Sequence, residues 1–145
     1  AATAERCFQE ALAVDREFGG WPHGDPYPLG GLGHLAVDAG DAVRARRLFG
    51  SALSEVAEFG QRAHQLYQLI GFARLRALGG DHIGAAEWVG LTMSHPAAAI
   101  DALGRARALL SELRTKLPAA ELDAALTRGG SLDLDVVVKE ILAAL

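Results

Sequence analysis

The sequence predicts an all-α protein, an antiparallel helix-pair solenoid of about eight helices, and three observations predict it. First, residues 4–19 (AERCFQEALAVDREFG) align without a gap on residues 45–60 (ARRLFGSALSEVAEFG), at an offset of 41. Identities fall at Ala4/Ala45, Arg6/Arg47, Phe8/Phe49, Ala11/Ala52, Leu12/Leu53, Glu17/Glu58, Phe18/Phe59 and Gly19/Gly60, which is 8 of 16. Second, GDAVRA (40–45) aligns on GDHIGA (80–85) at an offset of 40, placing Leu48 and Phe49 on Trp88 and Val89. A period near 40 residues suits a pair of helices stacked on the next pair. Third, the chain is rich in Ala, Leu and Arg, which favour helices, while VVV at 136–138 is the only β-branched cluster.

The elements follow in order. A first helix over about 2–18 ends at Gly19, placed as a C′ glycine. Segment 19–28 (GGWPHGDPYP) reads as a connecting loop, because prolines at 22, 26 and 28 forbid a continuous helix. A helix over 28–39 follows, then one over 41–59, where Leu48, Phe49, Ala52, Leu53, Val56 and Phe59 recur at three- and four-residue steps. Asp41 and Asp81 stand as N-caps, and Gly60 as another C′ residue. Further helices are expected over 61–78, 82–94, 96–116, 118–128 and 133–144. Ile100, Leu103, Ala106, Leu110, Leu113 and Leu117 mark the apolar stripe of the sixth, and the last is capped by Ser131 or Asp133. The whole of 1–145 reads as one domain, with repeats over 4–95 and capping helices over 96–145.

Composition narrows the function classes. No apolar run nears the roughly 18 residues of a membrane helix. The N-terminus has early charges and lacks the apolar core of a signal peptide. A single cysteine, Cys7, rules out an internal disulfide and a cysteine-based zinc site. A soluble cytoplasmic protein is the expectation. A net charge of −4 argues against direct nucleic-acid binding. Twelve of fourteen basic residues are Arg, which with the many alanines points to a GC-rich bacterial genome.

The spacings resemble the tetratricopeptide repeat. Leu32-Gly33, Ala36, Ala45, Phe49 and Ala52 fall at its steps, followed in the next unit by Leu69, Phe72-Ala73, Ala85 and Val89. The period exceeds that family's usual length of about 34, and its helix-closing proline is mostly absent. The tail, with Leu113, Arg114, Leu117, Ala125, Gly129, Leu132, Leu134 and Val137, resembles the C-terminal helices of LuxR-type and related signalling-ATPase regulators of bacteria. This resemblance implies a right-handed superhelix and a sensor or interaction segment of a transcriptional regulator. It makes residues 4–19 the second helix of a unit whose first helix is missing, so a fragment of a longer chain is expected.

The candidate sites follow from the same alignment. In the tetratricopeptide geometry first helices line the concave face. The exposed groove steps of one unit are Tyr27, Gly30, His34, Val37 and Asp38, and those of the next are Tyr67, Ile70, Arg74, Ala77 and Leu78. Tyr27, His34, Asp38, Tyr67, Ile70 and Arg74 are the expected contacts for a peptide, a protein segment or a small ligand. The competing reading is that the tyrosines pack on a neighbouring helix.

Other features read as structural. The cluster Gly30, Gly31, Gly33 lacks the third glycine, the strand and the lysine of phosphate loops, so Gly33 is read as a close approach of two helices. His23, His34, His64, His82 and His95 have no metal-site spacing, with His82 simply solvated in a first turn. No serine sits in a nucleophile elbow, and Asp133 and Asp135 suit a helix start. Cys7 is read as buried and inert, Trp21 and Trp88 as core or loop anchors, and Arg44, Arg46 and Arg47 as a solvated face or a contact for phosphate or an acidic peptide. The expectation is therefore a noncatalytic scaffold with no cofactor, metal or membrane contact. The alternative is a self-association module using the apolar edge at residues 1–18 to form a homodimer, ahead of an enzyme with an unrecognised site.

Overall fold

A computed structural model describes residues 1–20 and 25–145. Those residues form eight helices and no strand: α1 (Ala2–Glu17), α2 (Pro26–Asp38), α3 (Ala42–Glu58), α4 (Arg62–Leu78), α5 (His82–Ser94), α6 (Ile100–Leu113), α7 (Ala119–Gly130) and α8 (Leu134–Ala143). None is long and apolar enough to cross a membrane.

One turn design joins α2 to α3, α3 to α4 and α4 to α5. Gly40, Gly60 and Gly80 have φ of 76°, 64° and 88°, a left-handed conformation that a Cβ disfavours. The next residue's N–H then reaches five residues back, from Asp41 to the Ala36 carbonyl (2.8 Å), Gln61 to Val56 (3.0 Å) and Asp81 to Arg76 (2.9 Å). This 6→1 bond is the Schellman closure. The Asp41 carboxylate accepts from Arg44 N–H at 3.0 Å and that of Asp81 from Gly84 N–H at 2.9 Å, so both predicted N-caps form. Each turn reverses the chain within three residues, which lays successive helices antiparallel.

Helix starts differ from the sequence reading where proline chemistry decides. α2 begins inside the predicted loop, at Pro26, because Asp25 caps it by accepting from Tyr27 N–H (3.0 Å). First-turn N–H groups have no intrahelical partner, so Pro26 and Pro28 remove nothing there. Trp21, Pro22 and His23 lie outside the described residues. α6 begins at Ile100 rather than 96, since His95 takes the extended conformation (ψ 130°) imposed by Pro96. Ile100 is 86% exposed, and the stripe that faces the core is Ala102, Ala106, Leu109, Leu110 and Leu113. Asp133, not Ser131, caps α8.

Glycines set how closely the helices pack. Phe49 of α3 fills the space where a Cβ would stand on both Gly33 of α2 and Gly71 of α4. Phe8 of α1 fills the same space on Gly31 of α2, so Phe8 and Phe49 occupy equivalent seats one repeat apart. Val89 is fully buried in a core of Ala85, Ala86, Ala106, Leu109 and Leu110 that joins α5 to α6. α5 and α7 meet backbone to backbone: a Cβ on Gly90 would strike Leu126, and one on Gly129 would strike the Glu87 carbonyl. Arg128 and Glu87 pair at 2.9 Å beside this contact. The last helix turns back, and Leu134, Val137, Val138 and Ile141 join the main core with Ala45, Phe49, Leu53, Leu66 and Phe72. Arg62 pairs with Asp135 at 3.0 Å, and Arg46 donates to the Ala144 carbonyl at 3.2 Å.

Cys7 is exposed, contrary to the expectation of a buried thiol. Among the described residues no helix covers the side of α1 that carries it, whereas Leu48, its repeat equivalent, packs between two cores.

The glycine contacts lead to opposite outcomes at two sites. Gly129→Ala places a methyl against rigid backbone and should lower unfolding free energy by about 1–3 kcal/mol. Gly104, exposed in α6, has nothing within 4 Å of its virtual Cβ. Gly104→Ala should therefore raise stability by about 0.5–1 kcal/mol through helix propensity. Urea unfolding followed by circular dichroism measures both, and equal effects at the two sites would refute the close approach of α5 and α7.

Candidate functional site

The expected groove residues do come together, on a seam where α2, α4 and α6 lie side by side. The rings of Tyr27 and Tyr67 stack with centroids 5.4 Å apart. Equivalent positions in successive units thus touch across the seam, in agreement with the packing alternative. His34 stands edge-on to Tyr67 (5.1 Å) and to Phe49 (4.9 Å). Its Nδ1 lies 3.1 Å from Arg74 Nη1, and Nη2 of Arg74 pairs with the Asp38 carboxylate. Gln68, fully buried, donates to the Pro26 carbonyl at 3.1 Å.

The seam is not the open wall that the alignment predicts. His34, Val37, Tyr67 and Ile70 are buried, Gly30 is covered by Gln68 and Tyr67, and only Tyr27, Asp38 and Leu78 are exposed. The physical reason is twofold: α4 closes onto α2 over Gly30 and His34, and α6, in the place of a third first helix, covers Ile70 and Tyr67. Ile70 and Ala73 share a core with Ala106, Leu109 and Leu113. Arg105 of α6 reaches over the Tyr67 ring, 5.6 Å from its centroid. Sequence reasoning missed Arg105, because α6 is not a recognisable repeat copy and no local signal says where it docks.

Burial dominates the electrostatics. It drives the His34 pKa down to about 2, with the Arg105 and Arg74 cations adding to the effect and the Tyr67 backbone opposing it. The imidazole is therefore neutral, and with Arg74 donating to Nδ1 the ring proton sits on Nε2. Nε2 itself makes no hydrogen bond of ordinary geometry. Burial also raises the Tyr67 pKa, partly offset by Arg105.

Two hollows among the described residues border the seam. The larger, about 470 Å³, opens at the end where α2 and α4 finish. Val37, Ala77, Leu78, Leu109 and Leu113 give it an apolar lining, and Arg74, His82, Lys116 and Glu112 supply its polar groups. His82 is half-buried with Nδ1 shielded and unpartnered, rather than simply solvated. The smaller, about 100 Å³, lies between Tyr27, His64, Tyr67 and Asp101.

The remaining candidates resolve as follows. Gly30, Gly31 and Gly33 lie within α2, buried against side chains, and form no phosphate loop. Among the described residues no group of three or more His, Cys, Asp or Glu could hold a metal ion. Arg44 pairs with Glu5 at 2.7 Å, while Arg46 and Arg47 border a hollow with Val43 and Leu145. Arg76 stacks on Trp88, 3.8 Å from the ring centroid, and Trp88 packs against both main cores as an anchor. Set beside known protein families, curated proteins and solved structures, the chain matches none.

His34 sets a pH signature. The unfolded chain protonates it near pH 6.5 and the folded chain does not until about pH 2. Unfolding therefore takes up a proton between these values, and stability, complete above pH 6.5, falls as the pH drops through that window by up to about 1.4 kcal/mol per unit. Between pH 7 and pH 5 the native chain should lose about 2 kcal/mol more than His34→Gln. Urea unfolding at the two pH values measures the difference, and equal losses would refute the buried neutral imidazole.

Proposed function

We propose that this chain is a noncatalytic binding scaffold whose larger seam cleft receives a peptide segment of a partner protein. The observation that carries the reading is the cleft itself: an apolar floor from three different helices with Arg74, His82, Lys116 and a single carboxylate, Glu112, around it. An apolar side chain can enter such a hollow while a neighbouring carboxylate meets the cations. Arg74 is already compensated by Asp38, which leaves Lys116, exposed after α6, as the cation that reads the ligand. The packed seam behind the cleft holds it rigid, so binding orders little of the protein. The resemblance of repeat and tail to bacterial regulators supports a docking or sensing role within a larger signalling protein.

Peptides selected from a random displayed library on the immobilised chain test this reading. They should combine a leucine-like residue with a nearby Asp or Glu and perturb the amide resonances of Leu78, Gly80 and Lys116. Lys116→Glu and Leu78→Arg, both at exposed positions, should each weaken binding by about tenfold or more. Selected peptides indifferent to both changes would overturn the proposal.

A further inference from the structure

A hollow of about 340 Å³ lies where α3, α4, α5 and α8 meet. The residues that α4 gives it, Phe72, Leu75 and Arg76, differ from those it gives the seam cleft, Arg74, Ala77 and Leu78. The two openings therefore use different faces of one helix. Its size falls within the range of roughly 300–1,000 Å³ that small-ligand sites occupy. Phe72, Leu75, Trp88 and Ile141 give it apolar walls, and Arg46, Arg76 and Glu140 supply its charges.

These three charges are not equivalent. Arg76 is already engaged: its guanidinium lies over the Trp88 ring, 3.8 Å from the centroid, and its Nε pairs with Asp81 at 3.3 Å. It completes the wall. Arg46 donates to the Ala144 carbonyl at 3.2 Å, and Glu140 stands one helical turn before Ala144. The cation and the carboxylate thus share one rim, and both are exposed. Yet among the described residues neither belongs to an ion pair, with each other or with a third group. Opposite charges held apart on one rim offer a donor and an acceptor to a single head group that carries both signs.

We infer that this hollow is a binding site for a free α-amino acid with an apolar side chain. The ligand carboxylate meets Arg46, its ammonium meets Glu140, and its side chain lies against Leu75, Trp88 and Ile141. An apolar acid would leave Glu140 unmet beside a like charge, and an apolar amine would do the same at Arg46. A free amino acid answers both, because its two charged groups flank one carbon.

Calorimetric titration of the chain with L-phenylalanine, 3-phenylpropionate and phenethylamine tests the assignment. L-Phenylalanine should bind about tenfold more tightly than either analogue, each of which forfeits one charged hydrogen bond, and should shift the indole resonance of Trp88. Glu140→Gln should erase its advantage over 3-phenylpropionate, and Arg46→Gln its advantage over phenethylamine. Lys116→Glu, in the seam cleft, should leave all three affinities unchanged, which keeps this result separate from that of the peptide reading. No binding of L-phenylalanine at concentrations on the order of 10 mM would overturn the proposal. So would equal affinity of the chain for L-phenylalanine and 3-phenylpropionate, an advantage that survives both substitutions, or loss of binding in Lys116→Glu.

Discussion

Phe49 seated between Gly33 and Gly71 is the contact on which the rest of the structure depends. One phenyl ring occupies the space that two side chains would otherwise need, so α2 and α4 both close onto α3. His34 and Phe72 complete the ring's surroundings, at centroid distances of 4.9 and 5.8 Å. Because α2 and α4 are drawn to the same ring, Tyr27 meets Tyr67 and Arg74 meets His34 and Asp38 along their seam. The polar cluster is a consequence of an apolar wedge, and Gly33, which weakens the helix it belongs to, is retained where packing requires it.

The seam shows how a repeat surface is closed. Equivalent residues of successive units face one another, so a position that would line a groove in an open stack becomes an internal contact here. α6 then covers Ile70 and Tyr67. What stays accessible is the end of the seam, where α2 and α4 run out and Leu109, Leu113 and Lys116 of the α6 region overhang it. The neutral His34 lies deeper, where it orders Arg74 rather than meeting a ligand.

Much of the fold was legible because it is set locally. Asp41 and Asp81 as caps, Gly19 and Gly60 as helix ends and the offset of Phe8 from Phe49 need only nearby chain to be read. Boundaries are less legible at prolines, whose effect depends on their place in the turn: Pro26 starts a helix, and Pro96 delays one. Burial was less legible, since it depends on neighbours distant in sequence. Cys7 and Leu48 occupy the same step of the repeat, yet one is exposed and the other packed, because among the described residues a helix covers that side of α3 and none covers that side of α1. Tyr67 and Ile70, expected as exposed groove steps, lie on the seam beneath α6, and the return of α8 onto α3 leaves no mark in the pattern of either helix.

Comparing Phe49→Ala with Phe8→Ala in urea unfolding tests the central claim most directly. Phe49 has helices on both sides and Phe8 on one, so equal truncations remove unequal packing. Phe49→Ala should lower the unfolding free energy by about 3–5 kcal/mol and Phe8→Ala by about half as much or less. Equal losses, or a loss at Phe49 below about 1.5 kcal/mol, would contradict the account of Phe49 as the wedge that holds three helices together.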